Sequence, residues 1–273
     1  MNDLIDQFRQ AIAVAGLTPP TEIIDDGVIH RFSTSGKPTH RNGWYMLHTD
    51  GIAAGTFGDW REGFTQNWCG KTDTSMTEAE RIAHRERVKA MQRQREDDLT
   101  QRQQLAAADG LKRWTAATPC TLHDYLTRKG IQPHGAKVEG DKLLIPIRDT
   151  SGTVHSLQTI APDGTKMFMS GGRVKGCYFG IGKPNGALIV CEGFATGASI
   201  HECTGHAVAV AFNAGNLEAV AVALCTKYPA LKIIIAADDD HQTPGNPGMT
   251  KATAAVQATG ATLAVPVFKA AAA

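Results

Sequence analysis

Three carboxylates stand where strand-like runs end. Ala187-Leu188-Ile189-Val190-Cys191 is an unbroken apolar run that stops at Glu192, and Gly193 follows before a helical pattern begins. Ile233-Ile234-Ile235-Ala236-Ala237 is a second such run, and it ends in Asp238-Asp239-Asp240. Side chains alternate along an extended chain, so Asp238 and Asp240 point one way and Asp239 another. Open α/β sheets bind their ligands beyond the carboxyl ends of the strands. Glu192, Asp238 and Asp240 gathered there suit Mg²⁺ or Mn²⁺, hard cations that keep several waters and take phosphate oxygens as further ligands. Gly193 and Gly197 permit close backbone approach, and the helix that starts after Glu192 favours phosphate. The plainer alternative is that these acids only solubilise loop tips.

The elements that must position these residues are legible around them. The pattern predicts strands at 187–191, 207–211, 232–237 and 261–265, alternating with helices at 195–204, 216–227 and 248–258. Short apolar runs alternating with helices imply right-handed crossovers and a parallel sheet. Upstream, 143–148, 154–160 and 166–169 read as a hairpin-like set with turns at Asp149-Thr150-Ser151-Gly152 and Asp163-Gly164. A basic loop, Gly171-Gly172-Arg173-Val174-Lys175-Gly176, follows it. A short helix is expected within 121–135, with Arg128-Lys129-Gly130 at its C-terminal end. Residues 77–114 are polar and helix-favouring, and predict one or two long, largely solvated helices with a basic stripe that includes Arg81, Arg87 and Arg95. Residues 23–68 alternate in short runs broken by Gly, Asp, Asn and Pro, which predicts a small antiparallel β-module after a helix at 3–16. That module holds Trp44, Trp60, Trp68 and a basic loop at Lys37–Asn42. Tryptophans beside basic residues serve either as a core or as a base-stacking surface. The expected organisation is a β-module at 1–75, a helical linker at 76–120, a β-rich subdomain at 121–186 and the α/β domain at 187–268.

Bulk properties narrow the function classes. A net charge of +1 over 273 residues gives no global attraction to nucleic acid, so a local basic patch must supply it. The six cysteines contain no C-x-x-C pair, which argues for reduced thiols in a cytoplasmic protein rather than a disulfide framework or zinc ribbon. The acidic start lacks the features of a signal peptide, and no apolar run approaches membrane-spanning length. Phe268-Lys269 followed by alanines reads as a truncation, with the natural protein continuing beyond it.

Glu192-Gly193 after one strand and Asp238-x-Asp240 after another resemble the toprim domain shared by DnaG-type primases, type IA and II topoisomerases, OLD-type nucleases and RecR proteins. Leu143-Leu144-Ile145-Pro146-Ile147-Arg148-Asp149, Asp163-Gly164-Thr165-Lys166-Met167-Phe168 and Gly176-Cys177-Tyr178-Phe179-Gly180 resemble the segment that precedes toprim in DnaG-type primases. Trp44-Tyr45-Met46-Leu47-His48, Phe57-Gly58-Asp59-Trp60-Arg61 and Ala211-Phe212-Asn213-Ala214-Gly215-Asn216-Leu217 resemble toprim primases of phages, plasmids and integrative elements. Two features depart from the family. The segment after Asp240 is longer than usual, and the tryptophan-rich module stands where a zinc ribbon is customary.

The resemblance implies a DNA primase that makes short RNA primers on single-stranded DNA from ribonucleoside triphosphates, with Mg²⁺ or Mn²⁺. It implies metal binding by Glu192, Asp238 and Asp240, with Glu192 either completing the metal site or moving a proton near the 3′-hydroxyl. Arg148, Lys166, Arg173 and Lys175 would hold the template–primer backbone or the triphosphate, or are ordinary surface charges. A replicative helicase, fused downstream or acting in trans, is the implied partner. The alternatives are a toprim metal-dependent nuclease and a non-catalytic single-stranded-DNA-binding accessory module of replication. The four tyrosines have no topoisomerase cleavage-domain context.

Overall fold

The computed structural model describes residues 2–35, 41–60, 62–71, 76–240, 243 and 245–266. Most of the basic loop expected at Lys37–Asn42 falls outside the described residues, as do Arg61, His241, Gln242, Pro244 and the tail from 267 onward. The chain forms two compact units, Met1–Leu99 and Thr100–Ala273.

In the first unit, α1 (Asn2–Val14) packs on a four-stranded antiparallel sheet in sequential order: β1 (His30–Phe32), β2 (Gly43–His48), β3 (Ala54–Asp59) and β4 (Phe64–Cys69). Spacing of four residues puts Phe8 and Ile12 on one face of α1, and both are fully buried in a core with Tyr45, Leu47 and Phe57. Phe8 meets Tyr45, Phe57 and Trp68 edge-on at 5.3–6.0 Å between ring centres, a geometry that suits the aromatic quadrupole. Trp44 is buried, tilts against Trp60 at 5.2 Å and carries the Arg95 guanidinium 5.3 Å above its ring. Of the two uses the sequence left open for the tryptophans, packing accounts for Trp44.

The linker segment is a single 39-residue helix, α2 (Glu78–Ala116), and the boundary between the units falls inside it. Its first part is less solvated than its composition suggests. Met91 is buried with Met46 and Ala54, and Arg87 binds Asp50 at 3.0 Å and the Ile52 carbonyl at 2.9 Å. Part of the basic stripe therefore holds the β-module together.

The second unit contains two five-stranded sheets. The antiparallel one runs β5 (Thr118–Pro119), β6 (Lys137–Glu139), β7 (Lys142–Arg148), β8 (Val154–Ile160), β9 (Lys166–Phe168), each strand beside the next in sequence. The helix α3 (Asp124–Lys129) precedes β6 and ends at Gly130, whose φ of 65° closes it as the sequence predicts. The other sheet comprises β10 (Phe179–Ile181), β11 (Ala187–Cys191), β12 (Ala207–Val210), β13 (Lys232–Ala236) and β14 (Thr262–Ala264), in the order β10-β12-β11-β13-β14. Its last four members are parallel, with α4 (Phe194–Thr204), α5 (Leu217–Lys227) and α6 (Pro247–Thr259) as crossovers. The antiparallel edge strand β10 is not in the expected pattern; its three residues are too few to show a period.

Both faces of this sheet are covered, which is why its strands read as unbroken apolar runs. Ile189 and Cys191 point into a core shared with Phe194, Val208, Val210 and the β7 residues Leu143, Ile145 and Ile147. Leu188 and Val190 point to the opposite core, with Leu217, Val220, Leu224, Ala252 and Ala255. Among the described residues, no helix is long and apolar enough to cross a membrane. All six cysteines are free.

Candidate active site

The strand order creates the site. The chain leaves β11 for β12 on one side, then returns past β11 to reach β13 on the other. Loops from these strands therefore part at the carboxyl ends of β11 and β13, which is the switch point where open α/β sheets bind ligands. The register pairs Val190 with Ile235 and Cys191 with Val210. Glu192, Ala211 and Asp238 thus leave the sheet at nearly the same level.

Glu192 and Asp238 are half-buried, and each carboxyl is held above its usual range. For Glu192 the leading cause is burial, followed by the charges of Asp238 and Asp240; Lys166 and the donating Ala214 N–H oppose the rise. For Asp238 burial again leads, Asp240 adds to it and Lys166 opposes. These like charges have too few donors among themselves to be comfortable when ionised, and a cation or phosphate-bound metal would relieve them.

Asp240 and Asp239 are treated differently. The long segment after Asp240 folds back on the acids through Asn246, which stands at φ 39° as the N-cap of α6. Its Oδ1 accepts from the Asp240 N–H at 3.0 Å and the Met249 N–H at 3.3 Å, and its Nδ2 donates to Asp239 Oδ1 at 2.8 Å. Asp240 Oδ2 accepts from the Gly248 N–H at 3.3 Å, at the positive end of α6. A Cβ on Gly248 would lie 2.3 Å from the Asp238 carbonyl oxygen, so only glycine lets α6 come this close. Gly197 is needed in the same way, with a Cβ there falling 2.8 Å from Val210. Gly193 is not: its Cβ would meet only Thr196 at 3.5 Å, and its place is the N-cap of α4.

The donor set is all oxygen and suits a hard divalent cation, which usually binds one or two carboxylates together with substrate phosphates. Among the described residues, no three His, Cys, Asp or Glu side chains already stand in metal-holding geometry.

The four basic candidates separate. Lys166 is exposed on the edge strand β9 and its charge acts on both Glu192 and Asp238. Lys175 is exposed on the loop before β10. Arg148 is half-buried, its guanidinium 5.2 Å over the Trp114 ring, and burial lowers its pKa. Arg173 lies 3.7 Å from Asp149 and donates to the Cys177 sulfur at 3.3 Å. His155 binds Asp149 at 2.8 Å. Asn216 is a further contributor, present in the sequence only within the Ala211–Leu217 string that resembles toprim primases and with no sign there of its partners. Gly215-Asn216 is visible as turn chemistry, but the partners of Asn216 lie about forty positions upstream, at Val174, Gly176 and Cys177. A cleft of about 660 Å³ in the first unit, lined by His30, Arg31, Arg41 and Tyr45 among others, contains none of the candidate residues.

Residues 187–272 match the Toprim domain family. Two DNA primases TraC of Escherichia coli are each 36% identical to this chain, over 285 and 289 residues. The matches cover 96% of this chain, but the chain spans only 26% and 19% of those two proteins. Among solved structures, the primase fragment of the bacteriophage T7 primase-helicase protein matches with a TM-score of 0.41 at 16% identity, covering 56% of this chain and 71% of that one. The DnaG primase catalytic domain bound to ssDNA matches with a TM-score of 0.35 at 14% identity, covering 55% and 56%.

Proposed function

We propose that this chain is the priming segment of a longer DNA primase of a plasmid, phage or related mobile element. It synthesises short RNA primers on single-stranded DNA from ribonucleoside triphosphates. One observation carries the reading: Glu192 and Asp238 meet at the switch point of a toprim fold, half-buried, mutually repelling and faced by Lys166. The similarity to DNA primases TraC over nearly the whole chain favours primer synthesis over the other reactions that toprim domains serve.

Glu192, Asp238 and Asp240 would hold Mg²⁺ or Mn²⁺, which supplies neutralisation of phosphate charge as the new bond forms. Lys166, exposed beside the acids, binds phosphate oxygens of the triphosphate or template–primer and orients them. Lys175 does the same from the neighbouring loop, and Arg148 and Arg173 brace the sheet and turn behind it. Glu192, kept receptive to a proton by burial and its acidic neighbours, either completes the metal set or takes the proton of the 3′-hydroxyl. A replicative helicase, in the same protein or in trans, is the expected partner that delivers single-stranded template.

The test supplies single-stranded DNA, labelled ribonucleotides and Mg²⁺ or Mn²⁺ to the wild type, Glu192→Gln and Asp238→Asn. Short labelled products that vanish in both variants are expected. Shortened DNA without product would replace this reading with a nuclease. Retarded template with neither reaction would replace it with a binding module.

A further inference from the structure

The turn between β12 and α5 touches the end of β11 beside Glu192, the strand β9 that carries Lys166 and the loop that carries Lys175. Phe212 leaves β12 at φ 72°, a left-handed conformation that is strained for a bulky residue and persists only when its surroundings demand it. It is buried, and its ring meets Phe168 of β9 edge-on at 6.2 Å, two residues from Lys166. Ala214 opens a 3₁₀ turn, Ala214–Asn216, and just before it the Ala211 N–H donates to the Cys191 carbonyl at 2.8 Å, next to Glu192. Asn216 closes the turn with its amide buried. Its Oδ1 accepts from the Gly176 N–H at 2.8 Å. Its Nδ2 donates to the carbonyls of Ala211 at 2.9 Å, Cys177 at 3.0 Å and Val174 at 3.1 Å. Those partners bracket Lys175, whose own side chain is exposed.

We propose that residues 211–216 act as a bracket that fixes the acidic and basic halves of the site relative to each other, with Asn216 as the positioning residue for the Lys175 loop. The inference rests on the proposed primase reading for its substrate, but not for its geometry. A buried side chain that satisfies four backbone groups from two separate segments holds both in one arrangement, because each bond lost would leave a buried polar group unpaired. The chemistry recognised at Lys175 is phosphate, from either a triphosphate or a polynucleotide.

Two variants test the bracket. Asn216→Ala frees the Lys175 loop, and Lys175→Ala removes the exposed ammonium that the loop presents. The probes, each titrated against the full chain, are GTP with Mg²⁺, an oligodeoxythymidylate and Mn²⁺ alone. Asn216→Ala should weaken one or both phosphate probes by about tenfold, the scale of a lost hydrogen-bond set, and whichever probe responds identifies the source of the phosphate. In a Lys175→Ala background the same substitution should add no further loss, since both act through one group. Lys175→Ala alone should give the same loss at that probe and leave Mn²⁺ affinity unchanged.

Additive losses in the Asn216/Lys175 cycle would overturn the proposal, as would a lowered melting temperature with every affinity unchanged. If Asn216→Ala does not fold, Lys175→Ala with both phosphate affinities unaltered is enough to overturn it. A wild type that makes no primers refutes the primase reading, yet the binding cycle remains decisive for the bracket.

Discussion

Two acidic clusters in the second unit obey opposite rules. Asp149 sits in a turn that supplies its own donors. The N–H groups of Ser151 and Thr153 donate at 2.9 and 3.1 Å, the Ser151 hydroxyl at 2.6 Å, and His155 binds at 2.8 Å. Burial pushes its carboxyl up, but these bonds prevail and hold it well below the usual range. Glu192 and Asp238 are also pushed up by burial, but what surrounds them is mostly more negative charge, and the shift stays upward. A carboxylate that serves the fold brings its partners with it. One that serves chemistry leaves room for a partner from outside.

Substitution should separate the two clusters. The largest effect is expected from Glu192→Gln or Asp238→Asn. Each should cut primer synthesis by about a hundredfold or more, the scale for losing one charge-stabilising group, without lowering the melting temperature, because each relieves repulsion. A clear loss of stability in either would erase the contrast. Asp149→Ala should do the reverse. Loss of its turn bonds should destabilise the protein by about 1–3 kcal/mol in denaturant unfolding, with primer synthesis by the folded fraction close to wild type. Lys166→Ala should lower kcat/KM for primer synthesis by about tenfold and leave stability intact, because its side chain is exposed and its charge faces the acids. A neutral result there would remove Lys166 from the site.

The smallest effect is on pH dependence. Asp149 has a folded pKa below its unfolded one, so its stabilisation is complete above the unfolded value and fades as pH falls through and beneath it. The stability advantage of wild type over Asp149→Asn, read by urea unfolding, should therefore begin to narrow as pH falls from about 6 to about 4. An advantage that widened towards acid would mean the turn bonds do not favour the charged form.

Much of this arrangement is written locally. The runs at 187–191 and 232–236 declare buried strands because both faces of the sheet are covered, and Glu192 and Asp238 are visible as the polar residues that stop them. Gly130 and Gly197 likewise act through a backbone angle and a close approach that only glycine meets. Arg148 and Arg173 show the limit of such reading. Their composition matches that of Lys166, yet Trp114 and Asp149 occupy them, and no local pattern distinguishes a braced arginine from an available lysine.

By itself the sequence determined the longer strands and the helices, and which acids end the strands, because periodicity and burial are properties of neighbours along the chain; the two- and three-residue strands β5, β6 and β10 are too short to show it. Only the tertiary structure decided that β11 lies between β12 and β13, that β10 closes the edge in the opposite direction, and that Asn216 reaches the loop at 174–177. Those are contacts between residues tens of positions apart. Their energy comes from packing and from buried hydrogen bonds that exist only once the chain has closed on itself.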